Sequence, residues 1–148
     1  MAIFYEAEIK ISSVIEDLNA AGLAEGEPER TEQTLSGFLK LDGDGGSLIT
    51  YSEENENGRT DTDLAVLKDG SVSLKRRGAL ISELYFKQGE KFETEYKIGP
   101  YVFDMSVNAK RVYAELNESG GEIRLMYLMS VGGSDRAARM TVRVKTLK

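Results

Sequence analysis

A two-residue alternation of apolar and polar side chains runs through almost the whole chain, and turn residues break it repeatedly. That rhythm places successive side chains on opposite faces of an extended backbone. The clearest case is Asp61 to Gln88. Leu64 and Val66 precede the turn pair Asp69-Gly70, and Val72, Leu74 and Arg76 follow it. Asp-Gly between two alternating runs predicts a β-hairpin with a type I′ turn, which needs positive φ at both central residues. Gly78 interrupts the pattern, and Leu80, Ser82, Leu84 and Phe86 resume it. One apolar row therefore carries an arginine at its end.

The same pattern recurs on both sides. Ile3, Tyr5, Ala7, Ile9 and Ile11 alternate with Phe4, Glu6, Glu8 and Lys10, within a first strand expected over Met1 to Ser13. Val14 to Gly26 loses the rhythm and reads as an irregular loop with at most one helical turn. Pro28 restarts an extended segment, in which Leu35, Gly37, Leu39 and Leu41 share a side and Gly37 predicts a bend or bulge. The loops Asp42 to Gly46 and Asn55 to Gly58 bound a further strand over Ser47 to Glu54. Phe92, Thr94, Tyr96 and Ile98 form the next row, then Tyr101, Phe103, Met105 and Val107. Val112, Ala114 and Leu116 continue, followed by Ile123, Leu125, Tyr127, Met129 and Val131, and finally Met140, Val142 and Val144. Roughly nine to eleven short strands at 8–12-residue spacing predict an all-β sandwich or barrel. No stretch is long and periodic enough for a crossover helix. Short turns imply antiparallel neighbours in meander order. Nearly every segment has one apolar and one charged row, which favours a closed barrel of about eight to ten strands, with little or no helix. Residues 1–148 read as one domain, with no linker.

Composition narrows the function more than any motif. The chain has 148 residues, 41% apolar and 30% charged, as ordinary globular chains do. Its net charge of -6 argues against nucleic-acid binding, which needs a basic face. It has no cysteine and no histidine. Thiol and imidazole nucleophiles, general bases and metal ligands are thereby excluded. No apolar run approaches the roughly 20 residues of a membrane helix, and the N-terminal residues lack a secretory pattern. A cytoplasmic protein is expected.

The run Leu67-Lys68-Asp69-Gly70-Ser71-Val72-Ser73-Leu74-Lys75-Arg76-Arg77-Gly78, with Phe86, Gly89 and Phe92-Glu93-Thr94-Glu95-Tyr96, resembles the YwiB-like family of uncharacterised bacterial proteins. Tyr51-Ser52-Glu53-Glu54 and Gly121 to Tyr127 are similar to it as well. The resemblance implies a calycin-like barrel, shaped like lipocalins and fatty-acid-binding proteins. It implies no reaction, since a fold hosts many functions. Ile98 and Gly99 stand where family members tend to carry a threonine, and Arg136 to Arg139 where they tend to carry an asparagine.

Arg76 shares a row with Val72 and Leu74, so in a barrel its guanidinium points inward near a rim. A buried charge needs a partner, and that partner is either a carboxylate of the chain, such as Glu53 or Glu95, or a ligand anion. Tyr5, Tyr96 and Tyr127 lie on apolar rows with Thr60, Thr62, Ser82 and Thr94, which supply polar groups to an otherwise apolar cavity. The plainer alternative for each tyrosine is a core position with its hydroxyl bonded to a neighbour. Asp42, Asp44 and Glu53 match positions 1, 3 and 12 of a calcium loop, but Ser47 stands where that loop needs glycine. Glu53, Glu54, Asp61, Asp63, Glu93 and Glu95 offer carboxylates for glycoside hydrolysis, though most fall on charged outer faces.

These observations favour a binding protein over an enzyme. Its expected partner is a small hydrophobic or amphipathic anionic ligand, held by Arg76, Tyr96, Tyr127, Tyr5, Thr62 and Thr94. No metal and no cofactor is called for. The alternatives are a filled structural or protein-interaction barrel and a carboxylate-dependent hydrolase. A hollow lumen separates the first alternative from ligand binding. Two inward carboxylates mark the second. The sequence carries no signal for an oligomeric state.

Overall fold

A computed structural model describes residues 3–56 and 58–147. Met1 and Ala2 of the expected first strand, Asn57 of the third loop and the final Lys148 lie outside the described residues. Ten strands follow one another: β1 Ile3–Leu18, β2 Ala24–Leu41, β3 Ser47–Asn55, β4 Gly58–Val66, β5 Val72–Gly78, β6 Leu80–Phe86, β7 Lys91–Ile98, β8 Tyr101–Asn117, β9 Gly120–Val131 and β10 Ser134–Thr146. Each pairs antiparallel with its chain neighbours, and β1 pairs with β10 to close the barrel. The described residues contain no helix.

Closure turns the apolar rows inward, buried on most strands but only half-buried on β7 and exposed at the start of β8, and leaves the charged rows outside. One half of the lumen is filled. Ile9, Leu39, Ile49, Leu64, Leu74, Phe86, Val107, Ile123 and Val142 are fully buried there. Ile49, Leu64, Leu74 and Leu84 are direct cross-strand partners on β3 to β6, so they form one apolar floor. The Phe86 ring packs 4.8 Å from that of Tyr127, a favourable tilted aromatic contact.

The expected loop over Val14 to Gly26 is instead the tip of a long β-hairpin. β1 runs on to Leu18, paired with β2 on one side and with β10 as far as Arg136 on the other. A register shift between Ile15 and Asp17 marks a bulge. Asn19 turns the chain by accepting hydrogen bonds at Oδ1 from the amides of Ala21 at 2.9 Å and Leu23 at 3.1 Å. The alternation fades here because residues 21–34 are all exposed, so no core face imposes it.

The Asp69-Gly70 hairpin forms with a different turn from the one expected. Among the described residues only glycines have positive φ, so Asp69 does not take the type I′ conformation. The Gly70 amide donates to the Leu67 carbonyl at 3.0 Å, and the Leu67 amide donates to the Ser71 carbonyl at 2.9 Å. Gly70 takes the left-handed position at φ +86°. This is a type I turn closed by a left-handed glycine, the usual three-residue hairpin loop. Asp69 stabilises it by accepting from the Ser71 amide at 2.9 Å.

Candidate functional site

The other half of the lumen is hollow. A cavity of about 490 Å³ opens at the end where β3 meets β4, β5 meets β6 and β7 meets β8. That is within the ordinary size range of small-molecule sites. Its walls differ. Tyr51, Thr60, Arg76 and Tyr96 line the side built by β3 to β7. Ile11, Met105, Met129, Val131 and Met140 line the side built by β8 to β10 and β1, together with Tyr127 and, nearer the mouth, Ser13, Ser134 and Arg136.

The polar wall has a simple origin in register. Tyr51 pairs with Thr62, Thr62 with Arg76, Arg76 with Ser82, and Ser82 with Tyr96. Five consecutive strands thus place a hydroxyl or a guanidinium along one inward-facing row of cross-strand neighbours, next to the apolar row, and the tilt of the strands makes that row climb from Tyr51 toward the mouth at Tyr96. Thr60 stands two residues from Thr62, about 7 Å nearer the mouth at the rise of a strand.

Four hydroxyls in this zone are buried without a hydrogen-bond partner: Tyr51 Oη, Thr60 Oγ1, Thr62 Oγ1 and Ser82 Oγ. Their residues are 5%, 5%, 1% and 4% exposed. Buried polar atoms are normally satisfied, so four together are unusual. Burial pushes the Tyr51 hydroxyl pKa up to about 12. The charge of Arg76 opposes that rise, and Glu53 adds to it. Thr62 also opposes it by its proximity, without reaching hydrogen-bond geometry. Burial raises the Tyr127 hydroxyl too, again opposed by Arg76. Arg76 is thus the cation whose charge acts on both phenols.

Arg76 itself has no carboxylate within ion-pair distance among the described residues. Its chain neighbours point outward and are paired, Lys75 with Glu83 at 3.9 Å and Arg77 with Asp63 at 2.9 Å. Neither expected partner holds Arg76. Glu95 is exposed on the outer face of β7, and Glu53 accepts a hydrogen bond from Gln33 at 3.1 Å. The other lining cation, Arg136, pairs with Asp17 at 3.0 Å.

Of the residues expected to form a site, Arg76, Tyr96 and Tyr127 line the cavity. Thr62 lies directly beside Arg76 in the buried layer. Tyr5 does not join them. It faces inward opposite Leu39, six residues before Ile11, which puts it about 20 Å down the strand at the filled end. Thr94 sits one inward position below Tyr96 and is not among the lining residues. Tyr51 and Thr60 belong to the site: Thr60 is among the expected polar groups of the cavity though not among the expected ligand-holding residues, and Tyr51 is in neither set. Each occupies an inward position, but their meeting with Arg76 depends on strand register.

Glu53 is the one carboxylate among the described lining residues, so a hydrolytic pair has no second member there. Asp61 and Asp63 face outward into contacts with Arg59 and Arg77, and Glu93 with Lys91. Asp42 and Asp44 lie in the turn before β3, whereas Glu53 lies near the opposite end of that strand. They do not converge as a calcium loop requires. Among the described residues, no group of three acidic side chains is placed to hold a metal ion. No helix among the described residues is long and apolar enough to cross a membrane.

Fold and cavity together define a class: a closed, ten-stranded antiparallel barrel, filled at one end and hollow at the other. Residues 9–143 match the model of a domain of unknown function, DUF1934, and the chain belongs to that family. It is 27% identical over 124 residues to the uncharacterized β-barrel protein YwiB of Bacillus subtilis strain 168, covering 84% of this chain and 81% of that one. The crystal structure of the Bacillus subtilis YwiB protein superposes with a TM-score of 0.84 at 24% identity, covering 98% of this chain and 94% of the other. The expected family and the expected all-β barrel both hold.

Proposed function

We propose that this barrel binds a small amphipathic anion in its hollow end, with the anionic head on Arg76. The supporting observation is a guanidinium inside a cavity of about 490 Å³ with no carboxylate of the described residues beside it. A half-buried cation without a partner is costly, and a ligand anion supplies the missing one. The methionine, valine and isoleucine wall opposite suits an apolar body. Chain acids do not compete for Arg76, because Gln33 engages Glu53 and Asp17 engages Arg136.

The test is calorimetry with decanoate and the uncharged decanol, on wild type and Arg76→Met. Decanoate is expected to bind wild type more tightly than decanol. Arg76→Met is expected to lose about tenfold or more in decanoate affinity, the usual worth of a charge-assisted hydrogen bond, and to keep its affinity for decanol. Its melting temperature is expected to stay level or rise, since an unpaired charge is removed. Equal decanoate binding by both proteins, or binding of neither compound, overturns the reading.

A further inference from the structure

We propose that the ligand's head carries a hydroxyl or carbonyl oxygen close to its carboxylate, so that the site prefers hydroxy or oxo acids to plain ones. This rests on the anion-binding reading above and concerns the same cavity. A single guanidinium matches a singly charged carboxylate, which it engages through two parallel N–H donors. A dianionic head would bring excess negative charge toward Glu53 in the same lining.

With the carboxylate placed on Arg76, the Tyr51 and Thr60 hydroxyls still need partners. Both line the cavity, both are 5% exposed, and neither has a hydrogen bond. Thr60 is one inward step closer to the mouth than Thr62, the cross-strand neighbour of Arg76, on the path a ligand body takes outward. A plain alkyl chain passing these groups would leave them buried and unsatisfied, which is unfavourable. A hydroxyl or carbonyl near the head would accept from one or both. The body beyond it then lies against Met105, Met129 and Met140.

The experiment titrates decanoate, 2-hydroxydecanoate and 3-hydroxydecanoate into wild type, Tyr51→Phe and Thr60→Val. At least one hydroxy acid is expected to bind wild type about fivefold more tightly than decanoate, the worth of one neutral hydrogen bond. That advantage is expected to vanish in Tyr51→Phe or Thr60→Val. Both variants are expected to melt no lower than wild type, because each removes an unsatisfied hydroxyl. Decanoate binding as tightly as both hydroxy acids overturns the proposal and leaves the anion reading standing. An advantage that survives in both variants does the same. If none of the three acids binds, the anion reading fails and the proposal fails with it.

Discussion

Gln33 donates a hydrogen bond to the Glu53 carboxylate at 3.1 Å, across a seam where β2 and β3 share no backbone ladder. The ladder between these strands runs only from Gly37 opposite Tyr51 to Leu41 opposite Ser47. Beyond it toward the mouth, β2 is held by β1 alone, and this side-chain bond bridges the opening. Both residues line the cavity, so the seam is part of its wall.

Gln33→Ala is expected to loosen this wall without unfolding the barrel. The bond is solvent-exposed, so global stability should fall by less than about 1 kcal/mol. Backbone hydrogen exchange over Thr31–Ser36 should accelerate, while β5 and β6 keep their protection. Unchanged exchange over Thr31–Ser36 would mean that pairing with β1 alone fixes the edge.

Gly37 starts the β2–β3 ladder, and its lack of a side chain is a packing requirement. A Cβ there would lie 2.2 Å from the Thr50 carbonyl oxygen and 2.7 Å from Ile9 Cδ1. The isoleucine tip can shift, but the carbonyl belongs to the sheet. Gly37→Ala is expected to destabilise the protein by about 2–4 kcal/mol, read as a lower urea midpoint. A midpoint within error of wild type would show that β2 can move away from β3 at no cost.

Tyr51 links the cavity to alkaline stability. Its folded pKa of about 12 lies above the unfolded value of 10. The folded state therefore favours the neutral phenol. This contribution is complete below pH 10 and disappears as pH rises through 12. Two units correspond to about 2–3 kcal/mol. Wild type is expected to lose more stability between pH 10 and 12 than Tyr51→Phe does, in paired urea titrations. Parallel losses would place the phenol in water when folded.

Alternation in the sequence reveals which face of a strand a residue takes, but not its height along the barrel. Arg76 was legible as inward because Val72 and Leu74 share its row. Tyr5 and Thr94 were legible as inward for the same reason, yet they sit away from the cavity. Height follows from how ten registers add up around the closed sheet, and no single strand encodes that sum. Tyr51 shows the converse. Its place beside Arg76 depends on two successive pairings through Thr62. The β1–β2 hairpin escaped notice because its exposed residues have no core to impose a pattern. The turn at Asp69-Gly70 was legible as a turn, but the dipeptide fits more than one turn geometry.

The pairing of β1 with β10 has a consequence for how the chain is made. Every other pairing joins strands adjacent in sequence and can form as synthesis proceeds, whereas Ala7 meets Thr146. A ribosome must deliver all ten strands before the first one finds its second neighbour. Until then, Ile9 and Ile11 belong to an unsealed ribbon, and the nascent protein is exposed to misassembly for most of its translation.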